Sequence, residues 1–187
     1  MLIYVLISAI FFLVALAPFF QFIQAKPGTT LSDPILTALP AYDLSIPIFV
    51  LIYGMIIASI AAHYSNPHFS LMALASYCTV NYFRIITIYL FTLEAPVGLI
   101  PLSDPFVSLI AYENTFVKDL FFSGHIATLF VLVFPEPKPV FKYIKLAVSL
   151  LVAGMLLIQH IHYTIDILAA PLFAYAAYRL IKRGLGK

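Results

Sequence analysis

The sequence predicts an all-α membrane protein, a polytopic bundle of six transmembrane helices that forms one domain over residues 1–187. The chain is 63% hydrophobic and only 10% charged, whereas a soluble domain has about 25% charged residues. Its apolar residues occur in runs that suit helices of about 20 residues, the length that crosses a bilayer. Most of the surface is therefore expected to face lipid, where backbone hydrogen bonds must close within each helix.

The predicted spans follow the apolar runs and end where prolines or polar residues interrupt them. The first run lacks the basic residues that precede the apolar part of a cleaved signal peptide, so we expect a retained helix. Pro135, Pro137 and Pro139 limit the fourth span, since proline removes a backbone donor. A polar cluster at 159–166 divides the last apolar stretch, which is too long for one span. The predicted spans are 2–24, 45–63, 69–91, 122–134, 143–159 and 163–182.

Lysine and arginine are unevenly distributed between the two sides that six spans would create. The side richer in these residues is the cytoplasmic one, which places both termini in the cytoplasm. The short loops of the compact chain favour a cell inner or plasma membrane. His63 and His68 also fall on this side and are expected to be interfacial. The basic residues are Lys138, Lys142, Lys145, Arg179, Lys182, Arg183 and Lys187 on this side, against Lys26 and Lys118 on the other.

Composition also limits the partners. The net charge of +2 is too small to indicate nucleic acid. Cys78 is the only cysteine, so an internal disulfide or a cysteine-rich metal site is excluded. The bilayer itself is the partner that the composition predicts, and homo-oligomerisation is left open.

Polar residues gather in two segments on the extracytoplasmic side of this topology. Lys118 to His125 opens the fourth span, and His160 to Asp166 separates the fifth from the sixth. Arg84 lies about two thirds of the way along the third span, at the same depth. Because positions more than forty residues apart converge on one plane, the pattern favours a functional site over a structural polar network at helix ends.

His162 and Asp166 are four residues apart, so on a helix they share a face. The carboxylate can then accept a hydrogen bond from one imidazole nitrogen and leave the other as a nucleophile or base. This pair supplies a nucleophile and the group that orients it.

The other residues suit a phosphate. Ser123 is a predicted N-cap, and the free backbone N–H groups of a helix that begins at Gly124 can bind an anion. Arg84 within a span is costly unless it faces an interior partner, and its planar guanidinium fits a phosphate. Together with His125, these parts predict phosphoryl transfer through an enzyme-bound histidine. A structural ion pair of Arg84 with Glu94 or Asp119 is the alternative.

Ser123-Gly124-His125 followed by His162-x-x-x-Asp166 resembles the catalytic signature of the type 2 phosphatidic acid phosphatase superfamily. The likeness is greater to its sphingomyelin synthase-like branch, where the two signatures take forms like Gly-Asp-x-x-x-Ser-Gly-His and His-Tyr-Thr-Val/Ile-Asp. Asp119 corresponds to the aspartate of the first of these forms. The segment that begins at Arg84 resembles the arginine motif of that branch.

The sequence departs from this pattern at three points. Val117-Lys118 stands where the branch has Cys-Gly, and Glu94-Ala95 interrupts a Leu-Pro-Val-Pro turn. The Lys-x6-Arg-Pro motif of the wider superfamily is absent, which argues against a standard phosphatase.

The resemblance implies a lipid phosphotransferase that moves a phospho-head-group from a phospholipid to a ceramide- or diacylglycerol-type lipid, without metal or cofactor. His162 would be the nucleophile, oriented by Asp166, and His125 would act as acid and then as base. Arg84, Lys118, Ser123 and Gly124 would bind the phosphate, with Asp119, Tyr163 and His160 in support. A lipid phosphate phosphatase that uses water, and a catalytically silent membrane protein, are the alternatives. A zinc site built from His125, His160 and His162 is a further alternative for the histidines.

Overall fold

The structure is a computed structural model that describes residues 1–104 and 116–185. Within these residues the chain forms helices and no strand, apart from one isolated bridge between Thr29 and Leu93. The all-α fold class is thus confirmed. The helices are α1 (Leu2–Ala25), α2 (Pro34–Thr37), α3 (Ser45–Ala62), α4 (Pro67–Leu90), α5 (Gly124–Val133), α6 (Pro139–Ile158) and α7 (Thr164–Leu185).

Five of these helices, α1, α3, α4, α6 and α7, are long and apolar enough to cross a membrane. The fourth predicted span, 122–134, contains only the ten-residue helix α5. At 1.5 Å per residue α5 is about 15 Å long, half the thickness of the roughly 30 Å hydrocarbon core. The helices support an integral membrane protein, while a count of six spans stays a prediction.

Helix α5 is short because it begins inside the bundle. Ser123 caps it, as predicted: its hydroxyl accepts from the Ile126 N–H at 3.5 Å. This first turn lies against Arg84, which precedes the end of α4 by six residues, or about 9 Å of helix. Prolines then end α5, and the chain continues to Glu136, which contacts His63 at the end of α3. Helix α4 ends and helix α7 begins at the same end of the bundle, and we call this end the 'site end'.

Helices α4 and α5 form the centre of the bundle. Helix α4 packs against α1, α5 and α7, and α5 packs against α3, α4, α6 and α7. In the most apolar 18-residue stretch of each helix, 56% is buried in α4 and 6% is buried in α1. Helix α1 is therefore peripheral, and polar contacts such as that of Tyr4 with Thr79 at 2.9 Å tie it to α4.

A buried charge cluster lies at the end opposite the site end. Glu136 accepts from Lys145 Nζ at 2.5 Å and lies 3.3 Å from His63 Nε2. The His63 ring stacks on Phe69, with ring centroids 3.9 Å apart. His63 was expected to be interfacial, and this prediction is wrong: the residue is only 4% exposed, because a carboxylate from the loop after α5 reaches it.

This charge cluster gives a stability prediction. Lys145→Ala removes the ammonium partner of the buried Glu136 carboxylate and leaves it only His63 and the Lys138 N–H, and we expect a loss of about 3–5 kcal/mol in the free energy of unfolding. Lys142→Ala, an exposed site on the same helix, is the matched control and should change stability by no more than about 0.5 kcal/mol. Thermal unfolding in detergent measures both.

The predicted loss also depends on pH. Burial raises the pKa of Glu136, but hydrogen bonds from Lys145 and the Lys138 N–H, with the nearby cations, outweigh it and hold the pKa below its usual value. A depressed pKa means that the pair stabilises the protein at neutral pH and ceases to do so as the carboxylate protonates. The difference between wild type and Lys145→Ala should therefore shrink below about pH 4. A difference that stays constant with pH would contradict this account.

Candidate functional site

The two polar segments predicted from the sequence meet at the site end. The Ser123 N–H donates to the backbone oxygen of Asp166 at 3.2 Å, which joins the start of α5 to the first turn of α7. The rings of His125 and His162 lie 6.2 Å apart between centroids, at 62° to each other. The fold thus brings together the two histidines and the carboxylate of the sequence motif.

His162 and Asp166 form a buried pair that lacks a hydrogen bond. His162 Nδ1 lies 3.5 Å from Asp166 Oδ2, which is longer than an ordinary hydrogen bond. The residues are 2% and 0% exposed, and neither His162 Nδ1 nor Asp166 Oδ1 has a hydrogen-bond partner among the described residues. Buried polar atoms without partners are costly. The pair therefore stands where Asp166 can fix the imidazole tautomer.

Asp166 reaches His162 by a route that differs from the predicted one. Helix α7 begins at Thr164, so His162 precedes the helix instead of sharing a helical face with Asp166. The Tyr163 N–H donates to Asp166 Oδ2 at 3.0 Å, which folds the carboxylate back over the start of its own helix. The i, i+4 spacing still brings the two side chains together, through this turn.

Arg84 is held flat against the first residue of α5. Its guanidinium pairs with Asp119, and its Nε donates to the Phe122 carbonyl at 3.3 Å. A Cβ at Gly124 would lie 2.6 Å from both Cζ and Nη1 of Arg84, so only glycine admits the guanidinium here. These contacts occupy two of the five N–H donors of the guanidinium.

A cleft of about 200 Å³ opens beside Arg84 between α3, α4 and α5. Arg84, Asp119, Gly124 and His125 form one polar end, while the rest of the wall combines apolar side chains with the polar groups of Tyr77, Asn81 and Thr128. His162 is not among the lining residues, but the centroid of its ring lies 6.2 Å from that of His125. A ligand in this cleft would contact the cation and the His125 imidazole, with the second imidazole beside the first. The other lining residues are Ile52, Tyr77, Val80, Asn81 and Thr128.

Lys118, predicted to bind phosphate, lies in a different set of contacts. Its Nζ donates to Glu94 Oε1 and to the Lys26 carbonyl, both at 2.8 Å. The hydrogen bond from Lys118, with one from the Gly28 N–H, holds the pKa of Glu94 below its usual value. Lys118 and Glu94, one residue from each of the two segments that depart from the pattern of the branch, thus pair with each other. They fasten the loops after α1 and α4 to the segment before α5.

Asp33 is a residue of the site end that the sequence did not single out. Its carboxylate accepts from the Thr164 N–H at 2.6 Å and from the Thr164 hydroxyl at 3.0 Å, and also from Ile35 and Leu36. These hydrogen bonds lower its pKa despite the opposing effect of burial. Asp33 therefore caps both α2 and α7. An aspartate directly before Pro34 is a helix-start signal that could have revealed the α2 cap, but not the cap of α7.

His160 and Tyr163, predicted in supporting roles, anchor loops. The ring nitrogens of His160 lie 3.0 Å from the Val97 carbonyl and 3.1 Å from the Leu39 carbonyl. The Tyr163 hydroxyl donates to the Glu94 carbonyl at 3.1 Å. Neither residue lines the cleft. The described residues contain no group of three or more His, Cys, Asp or Glu side chains that could hold a metal ion, so the zinc alternative gains no support.

Comparison with known proteins supports the superfamily indicated by the sequence. Residues 118–183 match the family model described as PAP2 superfamily C-terminal. This match begins at Lys118 and includes α5, α6 and nearly all of α7, and thus both histidines and Asp166. It does not distinguish the sphingomyelin synthase-like branch. No curated protein and no solved structure matches the chain.

Proposed function

We propose that this chain is a membrane lipid phosphotransferase of the sphingomyelin synthase-like branch. It would move a phospho-head-group from a glycerophospholipid to a ceramide-like alcohol through a phosphohistidine at His162. The observation that carries the proposal is the cleft in which Arg84 and His125 stand together, with the ring of His162, paired with Asp166, 6.2 Å from that of His125 between centroids. An anion clamp, an acid–base group and an oriented nucleophile are the parts that phosphoryl transfer requires.

In the first step, Nε2 of His162 attacks the phosphorus. The new P–N bond forms as the bond from phosphorus to the diacylglycerol oxygen breaks, and protonated His125 gives its proton to that oxygen. Asp166 accepts the Nδ1–H of His162 and stabilises the positive charge that the ring acquires. This assignment follows from the contact of Nδ1 with the carboxylate, which leaves Nε2 for the phosphorus.

In the second step, His125 acts as the base. It takes the proton of the acceptor hydroxyl while the acceptor oxygen bonds to phosphorus and the P–N bond breaks. His162 returns to its neutral form, and His125 is again protonated for the next donor. His125 can serve both steps because it lines the cleft where both lipids would be bound.

Arg84 and the start of α5 balance the charge of the phosphate. The free N–H groups of the guanidinium and the backbone N–H group of Gly124 are donors that bind phosphate oxygens. Lys118 could join them only if its pair with Glu94 opened. Its contacts favour a role in fastening the loops.

The lateral position of the cleft favours a lipid acceptor over water. Its wall includes Tyr77, which is 42% exposed on the outer surface of α4, so lipids can approach between α3 and α4 without leaving the bilayer. Exclusion of water from such a site would suppress hydrolysis. In the predicted topology, the site faces the extracytoplasmic side.

A lipid phosphate phosphatase with the same residues and water as acceptor is the second candidate. The family match favours it, because members of the PAP2 superfamily are typically phosphatases. The two candidates differ only in the group that attacks the phosphohistidine.

Purified protein in detergent, given head-group-labelled phospholipids with and without ceramide, separates the candidates. We expect label to appear on ceramide, and this transfer to persist in EDTA because Arg84 and backbone N–H groups supply the positive charge. Release of phosphate or phospho-head-group without ceramide would identify the phosphatase. Activity that is lost in EDTA and restored by a divalent metal would contradict the charge balance proposed here.

A further inference from the structure

A second hollow continues from the cleft along the bundle. It has a volume of about 300 Å³ and lies between α3, α4 and α5, and we call it the chain groove. Tyr77 and Thr128 line both the cleft and the chain groove, so the two are continuous. Beyond these two residues the groove is mostly apolar, with Ala73, Leu74 and Val131 in its wall.

The two hollows follow a single face of α4. Their lining residues on this helix recur every three or four positions, from Ser70 through Ala73 and Tyr77 to Arg84, which places them in one row. Fourteen residues separate Ser70 from Arg84, and at the rise of an α-helix they extend about 21 Å. The row has the cationic site at one end and apolar surface along most of its length, which is the pattern of an amphiphile with a phosphate at one end.

The far end of the chain groove is closed by a fixed aromatic ring. Phe69 lines the groove, and its ring stacks on His63 at 3.9 Å and lies 4.8 Å from Lys145 Nζ. Beyond it lies the buried charge cluster of Glu136. An apolar ligand cannot extend past Phe69 without displacing charged groups that are paired with one another.

We infer that the chain groove holds one hydrocarbon chain of the lipid donor and that Phe69 limits the length of this chain. The inference rests on the proposed function, since it places the phosphate of the same lipid at Arg84. Each methylene that enters the groove adds dispersion contacts with its wall. Preference should therefore rise with chain length until the chain reaches Phe69.

A separate groove on the other side of α3 provides a matched control. It has a volume of about 260 Å³, lies between α3 and α6, and is lined by Gly54 and Ala58 among others. It shares no lining residue with the cleft. Bulk membrane lipid can fill either groove, but only the chain groove continues to the site. Ala73→Phe and Ala58→Phe therefore make the same change in a groove that reaches the site and in one that does not.

The experiment measures kcat/KM of the full-length protein for donors that share a head group and differ in chain length. We expect Ala73→Phe to lower kcat/KM for long-chain donors by at least about tenfold, since a ring in the groove excludes several methylenes and the packing contacts that they make. Turnover of short-chain donors should stay near the wild-type value, and Ala58→Phe should match wild type throughout. Because Ala73 is largely buried, Ser70→Phe at a half-buried position of the same groove is the second variant.

The outcomes separate this inference from the proposed function. An unchanged chain-length profile in Ala73→Phe and Ser70→Phe, with an active wild type, would overturn the chain groove alone. An equal change in Ala58→Phe would overturn it as well, because the effect would then come from bulk lipid packing. A wild type that turns over no donor of any length would overturn the proposed function and the inference together.

Discussion

His162→Ala is expected to abolish lipid turnover while the helical bundle still inserts and folds. The substitution removes the atom that would bond to phosphorus, and residues of a catalytic unit typically each cost on the order of 10⁴-fold or more when removed. Asp166→Ala should reach a similar loss, because Asp166 Oδ2 lies 3.5 Å from His162 Nδ1, which has no hydrogen-bond partner among the described residues. His125→Ala removes the general acid and base, and this should lower the rate of turnover by about 10²–10⁴-fold.

Two histidines serve as controls for these variants. His68→Ala alters an exposed histidine at the end opposite the site and should leave turnover unchanged. His160→Ala removes contacts with the Val97 and Leu39 carbonyls. It should therefore lower the unfolding temperature and leave kcat close to the wild-type value. Full activity in His162→Ala, with correct insertion, would remove this residue from the mechanism and favour a catalytically silent membrane protein.

Gly124→Ala is expected to lower kcat/KM by about 10²–10³-fold, the range for loss of one charge-stabilising donor. The added methyl group would lie 2.6 Å from the Arg84 guanidinium. The arginine side chain is flexible and can move. We therefore expect the methyl group to displace the guanidinium and weaken its pair with Asp119, while the backbone stays in place. The bundle should remain folded while the anion clamp is displaced.

Gly154→Ala is the matched control, since no atom lies within 4 Å of an added Cβ there. Arg84→Gln should lower kcat/KM by a similar factor. The double variant Arg84→Gln with Gly124→Ala should then lose little more than the larger single loss, because both changes act through one guanidinium. Multiplicative losses in the double variant would contradict this account, as would full activity in Gly124→Ala.

The sequence was sufficient to predict the helical framework and the meeting of the motif residues. Apolar run length predicts α1, α3, α4, α6 and α7, because lipid-facing helices must carry a continuous apolar surface. The Ser123 N-cap was predicted because capping is a local property of residue type. The approach of His125 to His162 was predicted from depth alone, and the structure confirms it.

Other features depend on contacts that sequence patterns do not encode. Arg84 had two plausible acidic partners, and only the fold shows that it pairs with Asp119 while Glu94 pairs with Lys118. The burial of His63 follows from the path of the loop to Glu136. The role of Asp33 as the cap of α7 joins residues 131 positions apart. The chain groove is a space between three helices and has no sequence signal.

Trapping the enzyme-bound phosphate tests the central claim most directly. Wild-type protein is mixed with a donor labelled at phosphorus, quenched at short times under alkaline conditions, and analysed for label on the polypeptide. We expect acid-labile label on His162 that appears before product, decays when a lipid acceptor is added, and is absent from His162→Ala. Product formation with no protein-bound label at any time, or label that persists in His162→Ala, would contradict phosphoryl transfer through this histidine.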